Sequence, residues 1–289
     1  MDVRSWAMGL SFAVMWSSAF SSARIIVANA SPFGALSIRF LISGIIGILI
    51  AKGIGQNFKL TKAQWKATII FGIFQNALYL GLNFFAMQTT EASLASIIAS
   101  SMPLMVAFGG WLIFRERLSS LGALGLLLGF FGVGVIMGVR IEVGADLFGI
   151  LLCVLGAVAL SIATLAASGA SAGGGVMMIV GLQMIVGSIC LGIVSLVFED
   201  IHVTWSLPFV AAFIYTTLVP GLLATFLWFK MVNRIGAIRA ATFHFLNPCF
   251  GVLIANIVLG EPLSVRDFIG VLIITFGILS VQLSKHENI

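Results

Sequence analysis

Gln75, Tyr79 and Asn83 follow one another at i, i+4 and i+8, with Asn76 beside the first, inside a run that is otherwise apolar. On a helix this spacing puts the three side chains on one face. Amides and a phenol in such a column can hydrogen-bond a solute, but they make or break no covalent bond. Other apolar runs carry columns of their own. Ser93, Ser96 and Ser100 stand just before Pro103, and Ser161, Thr164 and Ser168 share a face. Ser11, Ser18 and Ser22 line up with Met15 between them and Trp16 alongside, and His244 and Asn247 follow Phe243. Serine and threonine hydroxyls can also bond their own helix backbone, so their columns leave two readings open. An amide cannot satisfy all its groups locally, which strengthens the case for Gln75, Asn76, Asn83 and Asn247. The candidate substrate-binding set is therefore Trp16, Gln75, Asn76, Tyr79, Asn83, Ser96, Ser100, Ser161, Thr164, Phe243, His244 and Asn247.

His244 is the one histidine inside an apolar run. It reads either as a neutral ring bonded to a neighbouring helix or as a ligand for substrate or protons. Arg39 is expected to extend its head outward to water. Cys153, Cys190 and Cys249 all lie in apolar runs with no CxxC pairing and no nearby histidine, so neither a metal site nor a disulfide framework is expected. The same runs hold no Ser/His/Asp set, no HExxH and no paired carboxylates, so no catalytic residues, no metal and no cofactor are expected. A phosphorylated solute would need several converging basic groups, and Lys230 and Arg239 stand too near the end of their run to supply them. What remains is a neutral or zwitterionic small molecule with apolar bulk, stacked on Trp16, Tyr79 or Phe243.

The elements that must position these groups follow from composition. Asp, Glu, Lys and Arg make up 9% of the 289 residues, against about 25% in soluble domains. Hydrophobic residues make up 60% and mean hydropathy is +1.16. A crossing of the bilayer core takes about 20 apolar residues, and the chain offers ten such segments: 5–28, 33–52, 65–87, 92–114, 119–139, 147–168, 175–197, 208–230, 237–259 and 267–284. They are too long and too continuously apolar for barrel strands, so an all-α membrane protein is expected. The first segment, ending near Ala28-Asn29-Ala30, has the look of a signal peptide but is too long for one, and it is read as a retained helix. Arg4, Lys52, Lys59, Lys62, Lys66, Arg115, Arg117, Lys230, Arg234, Arg239 and Lys285 fall on the side of the N-terminus, whereas Arg24, Arg140 and Arg266 fall on the other with Glu142, Asp146, Glu199 and Asp200. The positive-inside bias then puts both termini in the cytoplasm. The excess of 15 basic over 10 acidic residues is scattered among the spans, so it anchors loops and suggests no nucleic-acid partner. The expected partners are a small-molecule substrate and the lipid bilayer, and a monomer suffices.

The segment FRERLSSLGALG, 114–125, is repeated in GEPLSVRDFIG, 260–270. Shifted by 145 residues, Pro103 falls on Pro248, Glu116 on Glu261, Leu118-Ser119 on Leu263-Ser264, Gly125 on Gly270 and Gly132 on Gly277. Phe84 meets Phe229, Ala92 meets Ala237 and Ala95 meets Ala240. The chain thus divides into 1–143 and 144–289, five segments each. Five is odd, so equivalent helices must cross in opposite directions. The charge bias reverses accordingly, with Arg115 and Arg117 matched by Gly260 and Pro262. Glu116 and Glu261 read as structural groups at helix starts, with Ser119 and Ser264 as caps. Gly125, Gly132, Gly270 and Gly277 let backbones pack closely. Pro103, Pro220 and Pro248 bend their helices and offer hinges.

The duplicated (G/R)E-x-L-S turn, followed by a glycine-rich helix and preceded by an M/N-P helix, resembles the EamA domain of the drug/metabolite transporter superfamily over essentially the whole chain. The resemblance implies ten transmembrane helices in two inverted repeats, with a central cavity between helices 1, 3, 4, 6, 8 and 9 and with helices 5 and 10 at the periphery. Within the superfamily the chain is similar to bacterial aromatic amino acid exporters of the YddG type. Small multidrug exporters of the superfamily use a carboxylate in their first helix, and this chain has only hydroxyls and Trp16 there. The expectation is a secondary transporter of the bacterial inner membrane that exports aromatic or other hydrophobic amino acids by alternating access, uncoupled or weakly coupled to protons. An exporter of other metabolites or drugs, proton-coupled through His244, is the alternative, and a membrane enzyme or assembly factor is the remote one.

Overall fold

Water would not tolerate the surface this chain presents. Leu127, Phe131, Ile193, Phe198, Leu207 and Phe268 all stand largely exposed on its flanks, as expected for helices that meet lipid on one side and each other on the other. The structure is a computed structural model. It describes residues 3–114, 119–142, 144, 146–167, 175–235, 240, 242–263 and 265–284. Among them the helices group into ten spans. Span 1 is Val3–Val27, span 2 Pro32–Gly53 and span 3 Lys62–Ala86. Span 4 is made of Ala92–Ser100 and Met102–Phe114, and span 5 is Ser120–Glu142. Span 6 is Leu147–Ala167, span 7 Val176–Phe198 and span 8 Leu207–Ile235. Span 9 joins a 3-10 turn, Thr242–Leu246, to Asn247–Leu259, and span 10 is Val265–Ser284. Six of these helices are by themselves long and apolar enough to cross a membrane.

The connections sort onto two faces. On one, the 1–2 and 7–8 connections meet through an Ala30–Val203 bridge and the bond from the Thr204 amide to the Asn29 carbonyl (2.7 Å). On the same face the Thr89 hydroxyl donates to Asp146 (2.6 Å), joining the 3–4 and 5–6 connections. That bond, with the Phe148 amide, holds the Asp146 carboxyl below the usual aspartate range. On the opposite face, which carries Lys52, Lys59 and Lys62, the Gln56 side chain accepts from the Met178 amide (3.0 Å), and Arg234 reaches Ser5 (3.3 Å). We refer to these as the acidic face and the lysine-rich face.

The inversion is visible in the caps. At the acidic face Glu199 accepts from the amides of Phe33 and Gly34 (both 2.9 Å) at the start of span 2. At the lysine-rich face Gln56 does the same for Met178, which lies 145 residues after Phe33. Each half thus caps a helix of the other with the same stretch of chain, on opposite sides of the molecule. Equivalent helices also pack together. Span 2 lies along span 7, where a Cβ at Gly47 would come 3.1 Å from the Gly181 Cα. Span 5 lies along span 10, where a Cβ at Gly132 would come 3.0 Å from the Ile274 nitrogen and one at Gly270 would meet Ile136.

Glu261 corrects the expectation that it serves the helix it precedes. Its two carboxylate oxygens accept from the amides of Ala92 (2.8 Å) and Ser93 (2.9 Å), the first turn of span 4 in the other half. Two of the four orphan amides of that helix are satisfied by one buried carboxylate at its positive end. Glu261→Ala leaves both donors buried without an acceptor, which costs about 2–4 kcal/mol, and the melting temperature is expected to fall by several degrees. Glu261→Gln keeps one acceptor oxygen and should lose less than half as much. Equal loss in the two variants, in thermal unfolding of the detergent-solubilised protein, would remove capping as the reason for this glutamate. Its counterpart Glu116 lies outside the described residues, as do Ser168, Arg239 and Ser264.

Candidate functional site

Two spans depart from α-helical winding at equivalent places. Gly72–Tyr79 in span 3 and Thr217–Leu223 in span 8 are π-helical, and they begin 145 residues apart. In span 8 the cause is Pro220, which has no N–H to return to the Thr216 carbonyl. Its counterpart in span 3, by the same offset, is Gln75. Pro103 and Pro248 stand instead in the first turn after a break, behind Ser101 in span 4 and behind the 3-10 turn in span 9. Wide turns of this kind widen a helix locally and recur at functional sites.

Between the two bulges lies a narrow chamber with about 30 Å³ of open volume. Gln75, Asn76, Tyr79 and Asn83 line it from span 3, Trp16, Phe20 and Ala23 from span 1, and Pro220, Gly221 and Thr225 from span 8. Span 2, absent from the expected set, contributes Arg39 and Phe40. The chamber runs from the middle of the bundle towards the acidic face, where Arg24 donates to the Met87 carbonyl and ties the ends of spans 1 and 3. A smaller chamber with about 10 Å³ of open volume continues towards the lysine-rich face. Phe12, Met102, Leu160, Thr164, Trp228 and His244 enclose it, together with Trp16, Gln75 and Thr225. The last three line both chambers and form the partition.

The partition is built of stacked rings. Trp16 lies parallel to Tyr79, with centroids 6.5 Å apart, and presents its face or edge to His244 at 6.1 Å and to Phe12 at 5.5 Å. Trp228 and Phe12 cover His244 from two further directions, at 5.1 and 5.3 Å. The Asn247 amide bonds the His244 Nδ1 at 2.8 Å.

The structure therefore gathers Trp16, Gln75, Asn76, Tyr79, Asn83, Thr164 and His244 around the chambers. Asn76 also donates to the Gln183 carbonyl of span 7 (3.0 Å). The other candidates sit elsewhere. Ser100 and Ser161 donate to carbonyls of their own helices, Ser96 and Ala157, at 2.7 and 2.8 Å. Ser96 packs where span 4 meets span 9, in the space that Gly251 leaves by having no side chain. Phe243 fills the space over Gly9 and meets the Trp6 ring edge-on at 5.5 Å. Asn247 stands behind His244, and its carbonyl accepts from Ser17 (3.4 Å).

Arg39 is the residue that sequence reasoning misplaced. It does not extend to water. It is 3% exposed, it faces the larger chamber, and its Nη1 donates to the Thr216 carbonyl (3.4 Å) at the start of the π-helical stretch of span 8. Its guanidinium lies over the rings of Phe40 and Phe84, at 4.5 and 5.5 Å. Thr225 and Trp228 of span 8 join the lining without belonging to the expected set.

Comparison with known proteins agrees with this architecture. A model of the EamA-like transporter family matches residues 5–138 and again 147–283. The chain is 26% identical over 270 residues to the uncharacterized transporter YvbV of Bacillus subtilis, covering 93% of this chain and 88% of that one. It is 22% identical to a WAT1-related chloroplastic protein of Arabidopsis thaliana, over 98% of this chain and 70% of that one. It is 23% identical to Protein PecM of Dickeya dadantii, over 87% and 83%. A solved crystal structure superimposes over the whole of both chains with a TM-score of 0.72 at 18% identity, a likeness of fold. Twice matched along its length, built of apolar helices and folded as two inverted halves, the chain is a multi-pass membrane protein that belongs to the EamA-like transporter family.

Proposed function

We propose that this protein exports small amphipathic metabolites, aromatic and other hydrophobic amino acids first among them, by alternating access across a bacterial inner membrane with both termini in the cytoplasm. The observation that carries the reading is the chamber between the two bulged helices, which combines stacked rings (Trp16, Tyr79) with amide groups (Gln75, Asn83). Such a wall suits a solute with an aromatic body and a polar head. Inverted repeats related by a pseudo-two-fold axis support alternating access, because rocking one half against the other exposes a central site to each side in turn.

The partition supports transport that needs no proton. Among the described lining residues of both chambers there is no carboxylate, and His244 is packed between rings with its Nδ1 already engaged. Purified protein in liposomes without any ion gradient is expected to exchange external labelled L-phenylalanine or L-tryptophan for internal unlabelled amino acid, at least about tenfold above empty liposomes. Flux that appears only under an imposed pH gradient would replace the uncoupled reading with proton coupling. Exchange of other metabolites in place of aromatic amino acids would move the substrate class to the alternative.

A further inference from the structure

The larger chamber contains one charged side chain among its described lining residues, Arg39, and no carboxylate pairs with it. Its surroundings are unusual for a cation at membrane depth. Buried charges there are normally paired or turned to water. Arg39 instead has a carbonyl, two ring faces and an Nε that bonds nothing. The carbonyl and the rings are neutral, so they stabilise the guanidinium only in part. The chamber also holds an unpaired acceptor. Asn83 is 1% exposed; its Nδ2 is engaged with the Tyr79 carbonyl (2.8 Å), while its Oδ1 has no partner.

We propose that Arg39 is the specificity-determining residue of this site and that it selects solutes bearing a single carboxylate, with the Asn83 Oδ1 as the acceptor for a neighbouring ammonium. The claim rests on the transporter reading of the chamber and sharpens it from amphipathic metabolites to amphipathic monocarboxylates. A guanidinium presents a planar set of donors matched to a carboxylate, and in a site shielded from water that pairing is strong. A phosphate dianion would need a second cation, and no other cation lies among the described lining residues. An ammonium needs no acidic partner when the solute carries its own carboxylate, and a neutral amide oxygen suffices to accept from it. Arg39 from span 2 and Asn83 from span 3 line the same chamber. Thr216 shows how the device is held in place. Its carbonyl, at the start of the proline bulge, accepts from Nη1, while Nε bonds nothing.

Exchange in liposomes of the purified full-length protein tests this with four labelled probes: L-phenylalanine, 3-phenylpropionate, L-phenylalaninamide and 2-phenylethylamine. The wild type is expected to move both carboxylates at least 30-fold faster than the amide or the amine. Arg39→Gln should erase that preference, and Arg39→Lys should keep a part of it. Asn83→Leu should lower phenylalanine exchange about tenfold and leave phenylpropionate within threefold, a split that a purely structural defect would not produce. Arg39→Gln is able to loosen span 8 through Thr216, so the wild-type preference and the Asn83→Leu split decide the matter if that variant fails to fold. Equal handling of acid, amide and amine by the wild type overturns the assignment of Arg39 and leaves the transporter reading standing. No movement of any of the four overturns that reading for this class of solute, and this assignment with it.

Discussion

A Gly277→Val protein is expected to unfold at least about 6–10 °C below the wild type, with little of it surviving extraction as a single species. The reason is the contact between the equivalent glycine-rich spans 5 and 10. A Cβ at Gly277 would lie 2.5 Å from the Gly129 nitrogen, 2.6 Å from its Cα and 2.8 Å from the Gly125 oxygen. All three are backbone atoms of the facing helix, so no rotamer change relieves the overlap. Overpacking against movable side chains costs about 1–3 kcal/mol. Here two helix backbones must part, and helix association in lipid depends on that close approach because apolar burial contributes little there. A cost of at least about 3 kcal/mol converts to the stated shift at roughly 2–4 °C per kcal/mol. Gly134 on the facing span 5 is the internal control, since a Cβ there meets nothing within 4 Å. Gly134→Ala is expected to leave the melting temperature within about 1 °C. If the two variants melt together, glycine content rather than packing explains the pair.

The features legible in the sequence are those set by long stretches of chain. Apolar length fixes where a helix must cross, and the recurrence of Glu116 and Pro103 at Glu261 and Pro248 signals two copies before any coordinates are known. The odd number of crossings per copy then requires the inversion seen in the exchanged caps of Glu199 and Gln56. The amide column of span 3 was legible for a different reason. Gln75, Asn76 and Asn83 have more hydrogen-bonding groups than their own helix can satisfy, so some must face another element. Hydroxyl columns carry no such constraint. Thr164 and Ser161 donate in the same way to their own helix backbone (both 2.8 Å), yet only the former lines a chamber. Nothing in their spacing separates them. Direction is the general difficulty in lipid, because a face turned to the bilayer is as apolar as a face turned to the core and the usual amphipathic signal vanishes. Arg39 shows the consequence. A lone arginine near a helix end reads as one that reaches water, and the Thr216 carbonyl and Phe84 ring that meet it inside lie far from it in sequence. The role of Glu261 was hidden by the same distance in sequence, since the helix it caps begins 169 residues earlier.

Trp16→Ala is expected to lower the exchange of aromatic amino acids by roughly 10- to 100-fold in kcat/KM, while the protein still folds and reconstitutes. Trp16 is part of the partition, and with Gln75 and Thr225 it touches both chambers. The indole ring lies flat on Tyr79, 3° from parallel, and abuts His244 and Phe12. The loss has two contributions. An aromatic solute forfeits a stacking partner, about 0.5–1.5 kcal/mol beyond area burial. It also forfeits roughly 1 kcal/mol of apolar contact with a large ring, and the total corresponds to the stated range of rates. The second consequence is structural. Truncation joins the two chambers into one continuous space, so the wall that separates the acidic face from the lysine-rich face is thinned at its centre. Trp16→Phe keeps a ring at the partition and should stay within about fivefold of wild type. The selectivity of Trp16→Ala separates a ring that meets the solute from one that merely fills the core. A solute contact predicts that phenylalanine exchange falls much more than leucine exchange, because only the former stacks. A packing role predicts that both fall together with the melting temperature, and that result would remove Trp16 from the site.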